Sequence, residues 1–393
     1  MVDVDSLEKS PIGRLVPILV PEVGRLESTI PYWAYVPHPL GENFDISMST
    51  LNLASKAGMA IARLDQAVAH LPNPGLLLRP IIRKEAASTS ALEGTFAEFD
   101  DVLEADFLED RLLTTEQREI QNVVRATEFA MERIKELPIT RRLIGELQSI
   151  IVTGTIDETY DSGDLRQRQV YIGPKNRPVQ EARFIPPPNG ALLEEGFDEW
   201  EKWINATNEI PIVIKMALGH YQFETLHPYA NGNGRLGRLI GLLQLVEDGS
   251  LSQPILNLSA FFEVRRAEYV DGLLRVTRTG DFDTWIRFYA EGVLAQAEKG
   301  LSTINALERF KEQTLTSLRQ KKVRGSALLI AESLIGYPIL NVSIARSITG
   351  LTFESANQAV SKLVDKGVLE EITGGRVNRL FVCKPVLAIV RGT

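Results

Sequence analysis

The densest chemistry in this 393-residue chain lies in one string, His227-Pro228-Tyr229-Ala230-Asn231-Gly232-Asn233-Gly234-Arg235-Leu236-Gly237-Arg238. It joins two apolar stretches of helical pattern, MALGHYQFETL before it and LIGLLQLVEDG after it. A loop rich in Gly and Asn that opens a helix leaves backbone N–H groups free, and the helix dipole adds positive potential there, so the string reads as an anion site. Arg235 and Arg238 lie three apart, on one face of the following helix, where planar guanidinium groups can reach the oxygens of a polyphosphate. His227 can accept a proton from an incoming hydroxyl near neutral pH. Together the parts read as a nucleotide site with its own base, suited to phosphoryl-type transfer, where positioning and charge neutralisation supply most of the catalysis.

Context excludes two other motifs. Gly232, Gly234 and Gly237 spell GxGxxG, yet a dinucleotide fingerprint needs a preceding strand in a βαβ unit, and here the preceding segment is helical. No GxxxxGK followed by Ser or Thr is present, so a P-loop is unsupported. Taken residue by residue, a Gly/Asn turn between two helices with solvated arginines would account for the string; the twelve residues together favour the site. A second string, EAASTSALEG from Glu85 to Gly94, is helical in pattern, and its Ser90 and Glu93 have capping-box spacing.

The elements that must position these residues are mostly helical. Residues 1–50 show little periodicity and several prolines, and read as an extended arm; helical signals dominate from Leu51. After Thr114, which has capping-box spacing with Gln117, the residues Ile120, Val123, Val124, Met131 and Ile134 share one face. Further helices fall at about 140–152, 191–206, 209–226, 234–247 and 259–277. A long helix capped near Asp281 or Asp283 turns Trp285, Phe288 and Tyr289 inward. The exception is the segment 170–190, a short hairpin-like excursion: Val170, Tyr171 and Ile172 favour a strand, while Pro174, Pro178 and Pro186–Pro188 forbid a helix interior. Near the C-terminus come helices at Ser326–Leu334, Val342–Thr349 and Phe353–Lys366, with turns at Gly350 and Gly367. Two strands, Val368–Ile372 and Val377–Val382, then meet through Gly374-Gly375, the pattern of a winged helix-turn-helix.

HPYANGNGRLGR resembles the signature of the Fic (Fic/Doc) family, HPFx(D/E)GNGRxxR, and GHYQFETLHPY just before it extends the likeness. The resemblance covers about residues 70–300. It implies an all-α protein: a Fic helical core with a short β-hairpin flap, here followed by a C-terminal winged helix-turn-helix. The domains expected are 1–115, an N-terminal arm and helical region; 116–320, the catalytic core; and 321–393, the winged helix. The activity implied is protein adenylyltransferase, moving AMP from ATP to a hydroxyl of a target protein. By the resemblance His227 is the general base, Gly232, Asn233 and Gly234 hold the phosphates, Arg235 helps clamp them and Arg238 holds the γ-phosphate. Tyr229 stands in place of Phe. Asn231 stands where the family carries the acidic residue that holds Mg²⁺, and a neutral amide is the weaker Mg²⁺ ligand. Reduced turnover, another metal such as Mn²⁺, or a nucleotide-sensing regulator acting through the winged helix therefore all stay open.

EAASTSALEG also resembles the family's inhibitory motif, (S/T)xxxE(G/N), with Thr89, Glu93 and Gly94 in place. It implies that Glu93 pairs with Arg238 and leaves ATP in an unproductive pose. The segment from Val170 to Pro188 lies where the family carries its flap, so Val170, Tyr171 and Ile172 are expected to add a target's extended segment as a further strand.

Composition bounds the partners. With 44% hydrophobic and 24% charged residues the chain is an ordinary globular one. Lys and Arg number 43 against 51 Asp and Glu, a formal charge of −8, so no global basic surface advertises nucleic acid. Arg346, Arg376 and Arg379 are the residues that could touch DNA phosphates, and a protein contact through the same domain stays equally open. The single cysteine, Cys383, excludes an internal disulfide and Cys-rich zinc sites. Four histidines argue against a multi-His metal cluster: His38 and His70 have no partners at ligand spacing, and His220 reads as a core residue behind the site. MVDVDSLEKS lacks an apolar signal region and no apolar run approaches a membrane span, so a cytoplasmic protein without membrane contact is expected. The expected partner is a protein bearing a Ser, Thr or Tyr hydroxyl, this chain itself included; a homodimer stays open.

Overall fold

The computed structural model describes residues 3–21, 29–69, 71, 73–173, 179–374 and 379–392. The N-terminal region is more ordered than an extended arm. Helix α1 (Val4–Glu8) precedes an antiparallel ribbon of β1 (Gly13–Pro21) and β2 (Thr29–Pro37), with Gly13 opposite Pro37 and Pro21 opposite Thr29. The prolines that mask these strands in the sequence are tolerated because a two-stranded ribbon has only edge strands, and the β-branched and aromatic residues between them suit a pleated surface.

The helical body follows: α2 (Met48–Ala69), α3 (Pro74–Leu92), α4 (Phe99–Glu104), α5 (Thr115–Arg133), α6 (Arg141–Val152), α7 (Ala191–Asn205), α8 (Ile212–Leu226), α9 (Asn233–Glu247), α10 (Ser259–Val264), α11 (Arg266–Thr279) and α12 (Phe282–Gln320). Thr114 and Gln117 form a reciprocal capping box at α5, and Asp281 caps α12 by accepting from the N–H of Thr284. The single helix expected at 259–277 breaks at Arg265, whose guanidinium pairs with Glu268 and Glu291 and lies over the rings of Phe261 and Phe288. Helices α8 and α9 are buried almost all round, so the loop joining them is fixed at both ends by the core. His220 of α8 sits among Phe262, Tyr269, Trp285 and Tyr289.

The excursion expected as a hairpin at 170–190 is reduced to one antiparallel bridge, Ile172 with Phe184; residues 174–178, with Pro174 and Pro178, lie outside the described residues. Pro186, Pro187 and Pro188 have no N–H to extend a ladder. The segment leans instead on the N-terminal ribbon, where Tyr35 N–H donates to Ile185 O at 2.9 Å.

After α12 come α13 (Ser326–Ser333), β3 (Ile339–Asn341), α14 (Val342–Thr349), α15 (Phe353–Asp365), β4 (Glu370–Glu371), β5 (Leu380–Val382) and α16 (Lys384–Arg391). The strands form an antiparallel sheet ordered β3-β5-β4. The strand expected over Val368–Ile372 shortens to two residues, Val377 lies outside the described residues, and β3 and α16 are additions that the sequence pattern did not reveal. This C-terminal unit packs on α3 and α4. The Arg79 guanidinium lies 4.6 Å from the Tyr337 ring centroid. Lys84 Nζ donates to the last carbonyls of α16, Val390 O at 2.6 Å and Arg391 O at 3.0 Å. Leu103 shares a small apolar cluster with Ile339, Val382 and Leu387. Among the described residues no helix is long and apolar enough to cross a membrane.

Candidate active site

Helix α8 ends at His227, which adopts a left-handed backbone (φ 47°, ψ 61°) that non-glycine residues rarely take and that turns the chain into the loop. Arg166, 1% exposed, holds this turn: its Nε donates to His227 O at 2.9 Å and its backbone N–H to Pro228 O at 3.0 Å. The sequence gives no spacing signal for Arg166. Asn233 locks the loop from the other side, accepting from Tyr229 N at 2.9 Å and donating to Tyr229 O at 2.8 Å. Its side chain is thereby committed to the loop rather than free for phosphates. Gly232 caps α9 at φ 78°, a conformation suited to glycine.

A cavity of about 820 Å³ opens beside this loop, lined by His227, Gly234, Arg238, Glu224, Tyr269 and Glu93, with Ile172, Gly173 and Phe184 also at its wall. Burial pushes the His227 imidazole down to about 4, with the Arg166 cation adding and Glu93 opposing, so the ring is neutral at ordinary pH. Its Nδ1 is buried without a hydrogen-bond partner.

Arg238 is gripped by the end of α3. Its Nε donates to Thr89 Oγ1 at 2.6 Å, and its Nη2 donates to Thr89 O at 3.0 Å and to Glu93 Oε1 at 2.7 Å. Burial works against the charge of Glu93, yet the Arg238 cation outweighs it and holds the carboxyl below its ordinary value. The Glu93 carboxylate lies over Gly234, where a Cβ would collide with it. The first turn of α9, where free N–H groups favour an anion, therefore carries a carboxylate of the same chain. Gly94 follows at φ 95° and ends the helix; Ser90 and Glu93 thus sit in the last turn of α3 and are no N-terminal capping box.

Other expectations part from the geometry. Arg235 does not join Arg238 at the cavity: it is 2% exposed, with Nη2 on Asp157 Oδ2 at 2.5 Å and Nη1 on Glu119 Oε2 at 3.4 Å. Asn231 donates from Nδ2 to Asp157 O at 2.8 Å, and its carbonyl accepts from Gln148 at 3.1 Å. A carboxylate there would face a carbonyl oxygen. With one neutral amide oxygen left, and no group of three or more His, Cys, Asp or Glu able to hold a metal among the described residues, the donor set does not fit a protein-held Mg²⁺. Of the flap residues only Ile172 lines the cavity. In the C-terminal unit Arg379 binds Asn357 and Glu371 rather than lying free for phosphates, Arg346 is exposed, and Arg376 lies outside the described residues, as does His70. Three residues at the cavity or behind it carry no motif of their own: Glu224, Tyr269 and His220, whose Nε2 lies 2.8 Å from Tyr269 OH.

A buried helix–loop–helix with a neutral histidine at its turn, an arginine one turn into the second helix and a cavity over both defines a helical protein with an enclosed site suited to an anion. Residues 51–132 match the model of the Fic/DOC family N-terminal region, and residues 138–245 that of the Fic/DOC family itself. Over these two stretches the chain is similar to the Fic/DOC family. The curated protein adenylyltransferase Fic of Drosophila grimshawi is 29% identical over 202 residues, 50% of this chain and 38% of that protein, so this chain spans well under half the relative's length. A Fic family protein from Desulfovibrio desulfuricans shares the fold over 88% of this chain and 98% of its own, with a TM-score of 0.57 at 18% identity. Fic-1 from C. elegans does so over 65% and 74%, with a TM-score of 0.50 at 21% identity.

Proposed function

We propose that this chain is a protein adenylyltransferase held in an inhibited state by Glu93. The observation that carries the reading is the Glu93–Arg238 contact over the first turn of α9, beside a neutral His227. In the reaction, a target hydroxyl oxygen bonds to the α-phosphorus of ATP, the bond to pyrophosphate breaks, and the hydroxyl proton passes to the His227 imidazole. The backbone N–H groups of Gly232, Asn233 and Gly234 and the guanidinium of Arg238 neutralise the phosphates. Arg235 contributes by fixing α9 to Asp157 and Glu119. Glu93 blocks this arrangement by taking both the cation and the space above Gly234. A divalent ion, Mg²⁺ or Mn²⁺, would enter with ATP. The target is a protein with a Ser, Thr or Tyr hydroxyl, and the cavity edge at Ile172 is where its extended segment would lie.

A second reading, a nucleotide-sensing regulator with a silenced site, is favoured by Asn231 alone. In that case the C-terminal unit, read as a winged helix, carries the output to DNA or a protein.

Purified Glu93→Gly protein incubated with ATP labelled either at the α- or the γ-phosphate separates these readings. Adenylyl transfer retains the α-label on protein and never the γ-label, and loses it in Glu93→Gly/His227→Ala. ATP binding without label on protein would replace the enzyme by the sensor.

A further inference from the structure

Arg238 has two carboxylates beside it, and only one is engaged. Glu93, at the end of α3, accepts from Nη2 at 2.7 Å. Glu224, on α8, lies against the same stretch of α9: a Cβ at Gly237 would come within 2.8 Å of its Oε1. That oxygen is buried without a hydrogen-bond partner, in a side chain 12% exposed that also lines the cavity. His220 Nε2 is 3.9 Å away and is engaged with the Tyr269 hydroxyl instead. Two glycines of α9 thus make room for two carboxylates, Gly234 for Glu93 and Gly237 for Glu224.

The Arg238 side chain is 3% exposed, and a buried cation without a counter-charge is costly. Thr89 offers two neutral acceptors, but it sits on α3 with Glu93, so withdrawal of that helix end removes these three contacts together and leaves the guanidinium beside the neutral Tyr269 hydroxyl of α11, with no counter-charge from α3. Glu224 does not move with α3. We infer that Glu224 is the relief partner of Arg238: when the end of α3 withdraws, Glu224 takes the guanidinium, and release becomes an exchange of carboxylates instead of the baring of a buried cation. Glu224 is in this sense a positioning residue, and the inference rests on the reading of Glu93 as a brake.

The exchange moves a proton. With α3 in place, burial pushes Glu224 up to about 7, with Arg238 opposing and the charge of Glu93 adding. Withdrawal removes the repulsion from Glu93 and leaves Arg238 to Glu224, so the carboxyl ionises more readily and its proton goes to solvent. Opening is then favoured as pH rises toward about 7 and levels off above it, because the closed state binds the extra proton only below that point. The other groups around it are Glu93 and Glu85 on α3, Arg238 on α9, His220 and His227 on α8, and Tyr269 and Arg266 on α11. His220 and His227 are pushed down to about 3 and about 4 by burial and stay neutral, Tyr269 is pushed up and stays protonated, and Glu93 is held low and stays charged. Glu85, raised to about 7 by burial with its hydrogen bonds from Ser259 opposing, is the one competitor among the described residues around the site.

Amide hydrogen exchange on the full chain without nucleotide tests this. The amides of Glu93, Gly94 and Thr95, bonded to Ser90 O and Ala91 O, are followed between about pH 5 and 8 and corrected for intrinsic exchange. The opening constant is expected to rise with pH, by up to about tenfold per unit below 7, and then to flatten. Glu224→Gln should open several-fold less at pH 7 and lose the pH dependence, and Glu85→Gln should keep it. A pH dependence that survives in Glu224→Gln, or vanishes in Glu85→Gln, overturns the inference; the Glu85 arm decides even if Glu224→Gln does not fold. No turnover is read, so a chain that opens with this profile yet never transfers AMP leaves the exchange standing and removes only the proposed activity.

Discussion

His227 is poised by its surroundings rather than by its residue type alone. Burial and the Arg166 cation hold it neutral well below ordinary pH, so the proposed base is ready without a proton having to leave first. In Glu93→Gly protein, labelling attributable to the base should persist down to about pH 5 and fall only below it, as the imidazole protonates; a decline centred near 6.5, the unperturbed histidine value, would contradict the account. Losing the imidazole in His227→Ala should cost about 10²–10⁴-fold in rate. Asn231 is equally specific in its setting. Asn231→Asp removes the donation to Asp157 O and sets a carboxylate against a carbonyl, which should cost about 1–3 kcal/mol of stability, read as a lowered Tm. His227, Arg238 and Glu93 were legible from their strings. Arg166, Glu224 and Tyr269 were not, because a lone polar residue becomes part of a site only when the fold brings it there. The shared face assigned to Arg235 and Arg238 failed for a geometric reason: three residues turn a helix by about 300°, leaving about 60° between the side chains. With Asp157 and Glu119 on one side and Glu93 on the other, that angle sends them to different partners.

At the scale of elements, the proposed brake depends on where α3 stops. Its last turn delivers Thr89 and Glu93 to Arg238, and Gly94 terminates it at φ 95°. A side chain is strained there, so Gly94→Ala should cost about 1 kcal/mol and fray the end of the helix. Amide exchange at Thr95 should speed up several-fold, and unchanged exchange would count against a brake anchored at this turn. The helices were legible from their periodicity and caps, as at Thr114 and Asp281. The N-terminal ribbon was not, because prolines in edge strands look the same in sequence as prolines in a loop. The 259–277 helix breaks at Arg265, which pairs with Glu268 and Glu291 there, a break that the apolar periodicity does not announce.

The whole molecule places α3 between the site at Arg238 and the C-terminal unit. One end of α3 reaches Arg238, while earlier turns support the C-terminal unit through Arg79 on Tyr337 and Lys84 on the carbonyls of α16. Gly336 touches the backbone of Leu76 so closely that a Cβ would collide with main-chain atoms. Gly336→Val should therefore push the C-terminal unit off α3 at a cost of about 1–3 kcal/mol, seen as faster tryptic cleavage near Lys321 and Lys322; an unchanged digestion rate would mean that the contact is not needed. The measurement that bears most directly on the central claim compares α-labelled ATP incorporation by the natural sequence, Glu93→Gly and Glu93→Gly/His227→Ala under the same conditions. The account predicts label on protein that rises at least about tenfold when Glu93 is removed, a gain of about 1.4 kcal/mol, and that disappears with His227. Equal incorporation by the natural sequence and Glu93→Gly, or label that survives His227→Ala, would contradict it.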